Sequence, residues 1–310
     1  MRLALIGQQA FGKSVLDAFI ARGDDVAGVF CASEKEGARP DPLRVAAQAR
    51  GLALFQLPTL KDGRAEEALR GLEVDLAIMA YVLQFAPRAF LTIPRYGTIQ
   101  YHPSLLPHYR GPSAINWPII KGESQTGLTI FRPTDGFDEG PIILQKTVAI
   151  GPDDTVGRVY FDRLFPLGVN ALLEAADLVV SERHHETPQD ETAATYEGWC
   201  RDAEALINWH SHLDVMYNLI RGCDPSPGAW TTINGSRIRI FDVRKHPARR
   251  ACDVSGTPGE ICAVNQDSIE ITGQGGRLEI FTVRPEGGIK TSAAALVTAI
   301  GCTIGARLGT

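Results

Sequence analysis

Leu3-Ala4-Leu5-Ile6-Gly7, then a helical pattern over residues 14–21, then Val26-Ala27-Gly28-Val29-Phe30, is the stretch that decides the fold. A short unbroken apolar run ending in glycine suits a strand buried on both faces of a parallel sheet. Between the two runs Val15, Leu16, Phe19 and Ile20 share one helical face. The alternation continues with a helix over 42–50, a strand over 53–56, a helix over 65–72 and a strand over 74–80. Strands alternating with helices predict β-α-β units, and therefore an α/β domain with a mostly parallel sheet. Such sheets bind ligands beyond the carboxyl ends of their strands, where the segment after Ala80 and the loop after Tyr101 are expected to lie.

Farther along, 126–131 and 142–150 read as two more strands, and 155–176 as a long helical pattern interrupted at Pro166. The polar stretch 184–192 reads as a linker. Beyond Trp230 the character changes: 236–243, 259–264, 268–272 and 278–283 are short strands separated by Gly, Pro and Asn turns. That pattern predicts an all-β second domain, a small barrel. The expected division is a catalytic domain over 1–203 and a β-barrel domain over 204–310.

A chain of 310 residues can hold two domains and a sizeable core. Its net charge of −5 argues against a large nucleic-acid surface. The six cysteines (Cys31, Cys200, Cys223, Cys252, Cys262, Cys302) form no C-x-x-C pair, so they read as reduced thiols and not as a zinc site or disulfide framework. The first apolar run is too short for a signal peptide, and no long apolar stretch suggests a membrane span. The expected location is the cytoplasm.

Gly7-Gln8-Gln9-Ala10-Phe11-Gly12-Lys13-Ser14 fits the phosphate-cradling pattern G-x-x-x-x-G-K-S. A nucleotide hydrolase also needs an apolar strand ending in an aspartate to help hold magnesium. The candidate strand Leu76-Ala77-Ile78-Met79-Ala80-Tyr81 ends without an acid, so the nucleotide reading is rejected.

The chemistry concentrates in His102-Pro103-Ser104-Leu105-Leu106-Pro107-His108-Tyr109-Arg110-Gly111, which follows the apolar strand-like Gly97-Thr98-Ile99-Gln100-Tyr101. Downstream, Asp135-Gly136-Phe137-Asp138-Glu139-Gly140 supplies carboxylates in a second turn-rich loop. One imidazole and one carboxylate on loops leaving strands suit proton transfer at a carbonyl. His102 can donate to an oxyanion. Asp138 can orient His102 or take a proton from the nucleophile.

The pattern HPSLLPxxRG with a later G-x-D-x-G, Gly136 to Gly140, resembles the folate-dependent formyltransferase and formyl-hydrolase family. Its branches include methionyl-tRNA formyltransferases and the N-terminal hydrolase domain of 10-formyltetrahydrofolate dehydrogenases. The latter is the closer likeness, through Gly7-Gln8…Phe11-Gly12, Ser113-Ala114-Ile115-Asn116-Trp117, Pro152-Asp153-Asp154-Thr155-Val156, Ala194-Thr195-Tyr196-Glu197-Gly198 and Ile207-Asn208-Trp209. The resemblance implies a Rossmann-like formyltransferase domain followed by a small OB-like barrel, with 10-formyltetrahydrofolate as formyl donor and no metal. It implies His102 and Asp138 as catalytic residues, with Asp135 the weaker candidate for the acid. Gln84 and Phe85 match the segment whose backbone meets the pterin ring. Ser104 and Leu105 belong to the loop that shapes the site. His108 and Arg110 line its wall, Arg110 facing an anionic part of a ligand.

Transferases of this family carry asparagine two residues before the histidine, and the hydrolase domain an apolar residue. Here that position is Gln100, a third catalytic candidate. The first expectation is hydrolysis to tetrahydrofolate and formate. The alternative is transfer to a small amine, an amino sugar, methionyl-tRNA or a carrier-protein thiol. The acidic balance and the lack of a basic run in 231–310 count against tRNA. With no aldehyde dehydrogenase domain before Thr310, NADP binding is not expected.

Overall fold

A computed structural model of the chain describes residues 1–34, 37–250 and 255–309; Cys252 lies outside them. Two compact units result. The first comprises Met1–Ala114, Thr126–Val148 and Phe161–Glu197, the second Ile115–Gln125, Ala149–Tyr160 and Gly198–Thr310.

The chain opens with β1 (Arg2–Gly7), α1 (Gln9–Ala21), β2 (Asp25–Ala32), α2 (Pro42–Ala49), β3 (Ala53–Leu57), α3 (Gly63–Gly71) and β4 (Leu76–Ala80). There follow α4 (Arg88–Leu91), β5 (Thr98–His102), α5 (Asn116–Ile120), β6 (Gln125–Phe131), β7 (Ile142–Ala149), α6 (Val156–Val159) and α7 (Phe165–Val180). Local chemistry marks the helix starts. Asp41 caps α2 by accepting from the Leu43 amide at 2.8 Å, with Pro42 in the first turn, where no N–H is needed. Asp62 caps α3 through the amides of Arg64 and Ala65.

In the first unit the seven-stranded sheet has the order β3-β2-β1-β4-β5-β6-β7. The pairs β1–β2, β2–β3, β1–β4 and β4–β5 are parallel, and β5–β6 is antiparallel. Leu3, Leu5, Leu76 and Ile78 are fully buried, as a strand covered on both faces requires. On one face Ala4, Ile6, Ala77 and Met79 meet Leu69 of α3 and Phe90 of α4. The sheet's centre has no spare room, because a Cβ on Gly7 would lie 2.3 Å from the Ala80 carbonyl oxygen on the paired strand.

The glycine-rich stretch after β1 is no phosphate cradle. Helix α1 starts at Gln9, and the Gly12 amide already donates to the Gln8 carbonyl at 3.1 Å, so it is not available to an anion. The long helical pattern expected over 155–176 is interrupted more deeply than a kink. A wide turn over Tyr160–Leu164 separates α6 from α7, and Pro166 falls in the first turn of α7, where its missing N–H costs nothing. The stretch 184–192 is not a linker. Thr187 exchanges both backbone hydrogen bonds with Ile142, and Gln189 is buried.

The second unit adds α8 (Leu213–Gly222), β8 (Ala229–Ile233), β9 (Ser236–Pro247), β10 (Ile261–Val264), β11 (Ile269–Gly273), β12 (Gly276–Pro285), β13 (Thr291–Ser292) and α9 (Ala293–Ala299). Its strand order is β10-β11-β12-β9-β8, with β13 beside β12, and the pairs are antiparallel. Residues 305–309 close the ring. Ile261 and Leu308 bond to Ala306 and Gly259 on the β10 side, while the Gly309 amide donates to Thr232 of β8. The barrel reading holds, but all-β does not. Leu213, Met216, Tyr217 and Ile220 give α8 an apolar face with i, i+3, i+4, i+7 spacing, and all four are buried among the barrel's isoleucines. On the same helix buried Arg221 donates to the carbonyls of Gly151 and Asp154, and Tyr217 donates to Asp153 at 2.7 Å, which ties the 149–160 segment into this unit.

Gly7→Ala is expected to lower stability by about 1–3 kcal/mol through overpacking at the centre of the sheet, read from the midpoint of chemical denaturation.

Candidate active site

Side chains alternate across a strand, so Thr98, Gln100 and His102 of β5 point to one face. His102 is the last residue of that strand and is 5% exposed. After it the chain makes a tight loop whose shape depends on the hydroxyl of Thr129, the β6 residue in register with His102. Thr129 Oγ1 donates to the Ser104 carbonyl at 2.7 Å, and accepts from the Leu106 amide at 3.1 Å and from Gln145 Nε2 at 3.0 Å. One donor and two acceptors are all that a hydroxyl offers. Ser104 Oγ adds a bond to the His108 carbonyl at 2.7 Å.

The loop then turns left-handed, with φ +58° at Tyr109 and +103° at Gly111. That turn aims the Tyr109 carbonyl at His102 Nε2, 2.9 Å away. A carbonyl only accepts, so Nε2 carries a proton and Nδ1 is the nitrogen left for chemistry. Asp138 Oδ2 lies 3.5 Å from Nδ1 and accepts from the Gly111 amide at 2.9 Å. Position 111 admits only glycine, because a Cβ there would stand 2.3 Å from the Glu197 carbonyl oxygen. Asp138 itself has φ +57°, a conformation costing of order 1–3 kcal/mol for a residue with a side chain.

Remote segments hold this turn. The Tyr109 amide donates to Thr195 Oγ1, the Arg110 amide to the Thr195 carbonyl, and the Glu197 amide to the Arg110 carbonyl. Gln189 Nε2 donates to the carbonyls of Asp138 and Gly140, at 2.8 and 2.7 Å. Sequence reasoning gave no site role to Thr129, Gln145, Gln189 or Glu191, reading the last two as part of a linker. Thr195 entered only as part of the Ala194–Gly198 likeness.

The other expected site residues are placed as follows. Gln100 shares the face of His102, and its amide has no hydrogen-bond partner among the described residues. The Gln84 amide is spent on the carbonyls of Leu57 and Pro58. The Phe85 ring lies 6.4 Å from that of Phe137, which is 65% exposed, with Lys61 Nζ 4.7 Å from the Phe85 centroid. Asp135 accepts from the Arg88 amide at 3.0 Å, at the start of α4. His108 is exposed, and Leu105 packs closely on Gly127. Arg110 is buried and forks onto Glu191 at 2.7 and 3.0 Å. That bond raises the guanidinium pKa and lowers that of Glu191. Arg110 is thus committed within the protein.

A small cleft at the carboxyl ends of β1, β2 and β4 is lined by Gly7, Gln8, Cys31, Ala32, Tyr81 and Gln84. Burial, reinforced by Asp41 and Glu34, pushes the Cys31 thiol up to about 11, which makes it a poor nucleophile. Among the described residues no group of three or more His, Cys, Asp or Glu side chains could hold a metal ion, and no helix is long and apolar enough to cross a membrane.

A mostly parallel sheet that delivers a histidine and an aspartate to one strand end, followed by an antiparallel barrel, is the arrangement of a formyl transferase. The chain belongs to that family: residues 1–176 match the formyl transferase domain and residues 200–300 the formyl transferase C-terminal domain. It is 40% identical to the human mitochondrial 10-formyltetrahydrofolate dehydrogenase over 248 residues, 78% of this chain and 26% of that one. This chain therefore spans about a quarter of that relative's length. It is 32% identical to the methionyl-tRNA formyltransferase of Syntrophus aciditrophicus (strain SB), over 92% of this chain and 91% of that one. The crystal structure of HypX from Aquifex aeolicus with tetrahydrofolic acid shares the fold, with a TM-score of 0.69 at 19% identity, covering 96% of this chain and 47% of that one.

Thr129→Val removes the hydroxyl that three groups share, and is expected to cost about 1–3 kcal/mol of stability, measured by chemical denaturation.

Proposed function

We propose that this chain removes the formyl group of 10-formyltetrahydrofolate with water as acceptor, giving tetrahydrofolate and formate. The observation that carries the reading is the His102–Asp138 pair, with Nε2 occupied by Tyr109 and Nδ1 facing the carboxylate at 3.5 Å. The water oxygen attacks the formyl carbon and its proton passes to Asp138. Negative charge gathers on the formyl oxygen, where His102 donates from Nδ1 in its doubly protonated form, which the Asp138 carboxylate beside it favours as counter-charge until it takes the water's proton. A fixed donor at this step is worth about 3–4 kcal/mol. The C–N bond then breaks, Asp138 returns its proton to the departing N10, and the formic acid so formed loses its proton to solvent as formate. The Gln100 amide, on the same strand face as His102, is a second donor for that oxygen. Exposed Leu83 and Phe137, beside Phe85, offer apolar surface to a flat pterin.

Transfer to an amine or a carrier thiol is the second reading. It draws support from the transferase matched over 91% of its length and from the C-terminal domain match. The net charge of −5 disfavours methionyl-tRNA among the acceptors.

Incubation with 10-formyltetrahydrofolate alone tests the choice. Rapid stoichiometric release of tetrahydrofolate and formate supports hydrolysis, whereas release only after an amine or thiol is added supports transfer. His102→Ala and Asp138→Ala are each expected to lower kcat by about 10²–10⁴-fold with little change in KM. Near wild-type turnover in either variant sinks the assignment. Gln100→Asn, one methylene shorter, is expected to shift product towards formylated amine when an amine competes with water, and an unchanged product ratio counts against a role for this amide.

A further inference from the structure

We infer that Gln189 is a positioning residue for the reaction, holding the backbone of 138–140 so that the Asp138 carboxylate stays on the Gly111 amide and beside His102. The inference rests on the reading of Asp138 as the proton acceptor.

Gln189 lies far from the catalytic motifs in sequence but is only 9% exposed. Its amide is fully used. Nε2 donates to the carbonyls of Asp138 and Gly140, and Oε1 accepts from Arg110 Nε at 3.2 Å and Nη2 at 2.9 Å. Carbonyls only accept and a guanidinium only donates, so no other orientation of the amide satisfies all four contacts. Arg110 is itself fixed by Glu191 and, through its backbone amide, by the Thr195 carbonyl.

These contacts form a closed circuit. The Asp138 carbonyl is tied to Gln189, Gln189 to Arg110, Arg110 by one peptide to Gly111, and the Gly111 amide to the Asp138 carboxylate. Both ends of the aspartate are held from one turn, which matters because its φ of +57° is not a conformation that it keeps unaided. The backbone at Gly140 also lies against the Arg132 carbonyl oxygen, where no side chain would fit. Removing the amide donors lets the carboxylate drift. A misplacement of about 1 Å costs roughly 10²-fold in rate.

Two substitutions separate this role from mere fastening of the 184–192 segment. Gln189→Met keeps the shape and loses all four bonds. Gln189→Glu keeps an acceptor for Arg110 but points a carboxylate oxygen at two carbonyls. Both are expected to lower kcat for consumption of 10-formyltetrahydrofolate by about 10- to 100-fold with KM within about twofold. In both, hydrogen exchange at the Gly111 amide should accelerate while the amides of β5 stay protected and the cooperative melt persists. Placed on Asp138→Ala, Gln189→Met should cost nothing more.

Wild-type kcat in Gln189→Glu overturns the inference, as does faster exchange spread across the whole first unit, or loss of the cooperative melt in Gln189→Met. Should Asp138→Ala keep wild-type turnover, it is the catalytic reading that fails, whatever the Gly111 exchange shows. An inactive Asp138→Ala beside fully active Gln189 variants removes the positioning role alone.

Discussion

The hydrogen bond from the Gly111 amide to the Asp138 carboxylate is the contact on which the rest of the site depends. It requires a backbone amide where no side chain fits, hence glycine under the Glu197 carbonyl. It requires the preceding residue to turn its carbonyl towards His102, hence the left-handed Tyr109. It requires the aspartate to adopt a conformation that few residues hold, hence the buried amide behind it. The sheet sets the frame. Parallel strands end on one side, and the antiparallel return of β6 brings Thr129 into register with His102, where its hydroxyl shapes the loop that carries the turn.

What the sequence revealed, and what it did not, follows from where each group finds its partner. Strands β1 and β4 were legible because burial on both faces leaves an unbroken apolar run, 3–6 and 76–80. His102 and Asp138 were legible through the family likeness of their loops. Gln189 was not, because its acceptors are backbone carbonyls at 138 and 140, and a backbone carbonyl leaves no residue signature. For the same reason 184–192 reads as a linker: its bonds to Ile142, Asp138 and Arg110 all reach across dozens of residues. The apolar face of α8 was present as Leu213, Met216, Tyr217 and Ile220, but short strands on its far side drew the reading towards all-β. Arg110 has the right chemistry for an anionic ligand, and the structure spends its guanidinium on Glu191 and Gln189; at Gln84 the side chain is spent on two carbonyls, whereas the expectation there concerned the backbone.

The second unit is assembled from three separated stretches of chain, and this has a consequence for synthesis. Helix α5 contributes Trp117 and Ile120 to a core otherwise built from residues beyond 199. The Asn116 amide donates to the Gly222 carbonyl, and the Trp117 indole to that of Gly198. At roughly 5–20 residues per second, about a hundred residues and several seconds separate the emergence of α5 from that of α8. Throughout that interval a tryptophan and an isoleucine wait without the core they were selected to fill. The newborn chain thus carries an unburied apolar segment in its middle, and the length of that interval is set by translation rate and not by the stability of the finished fold.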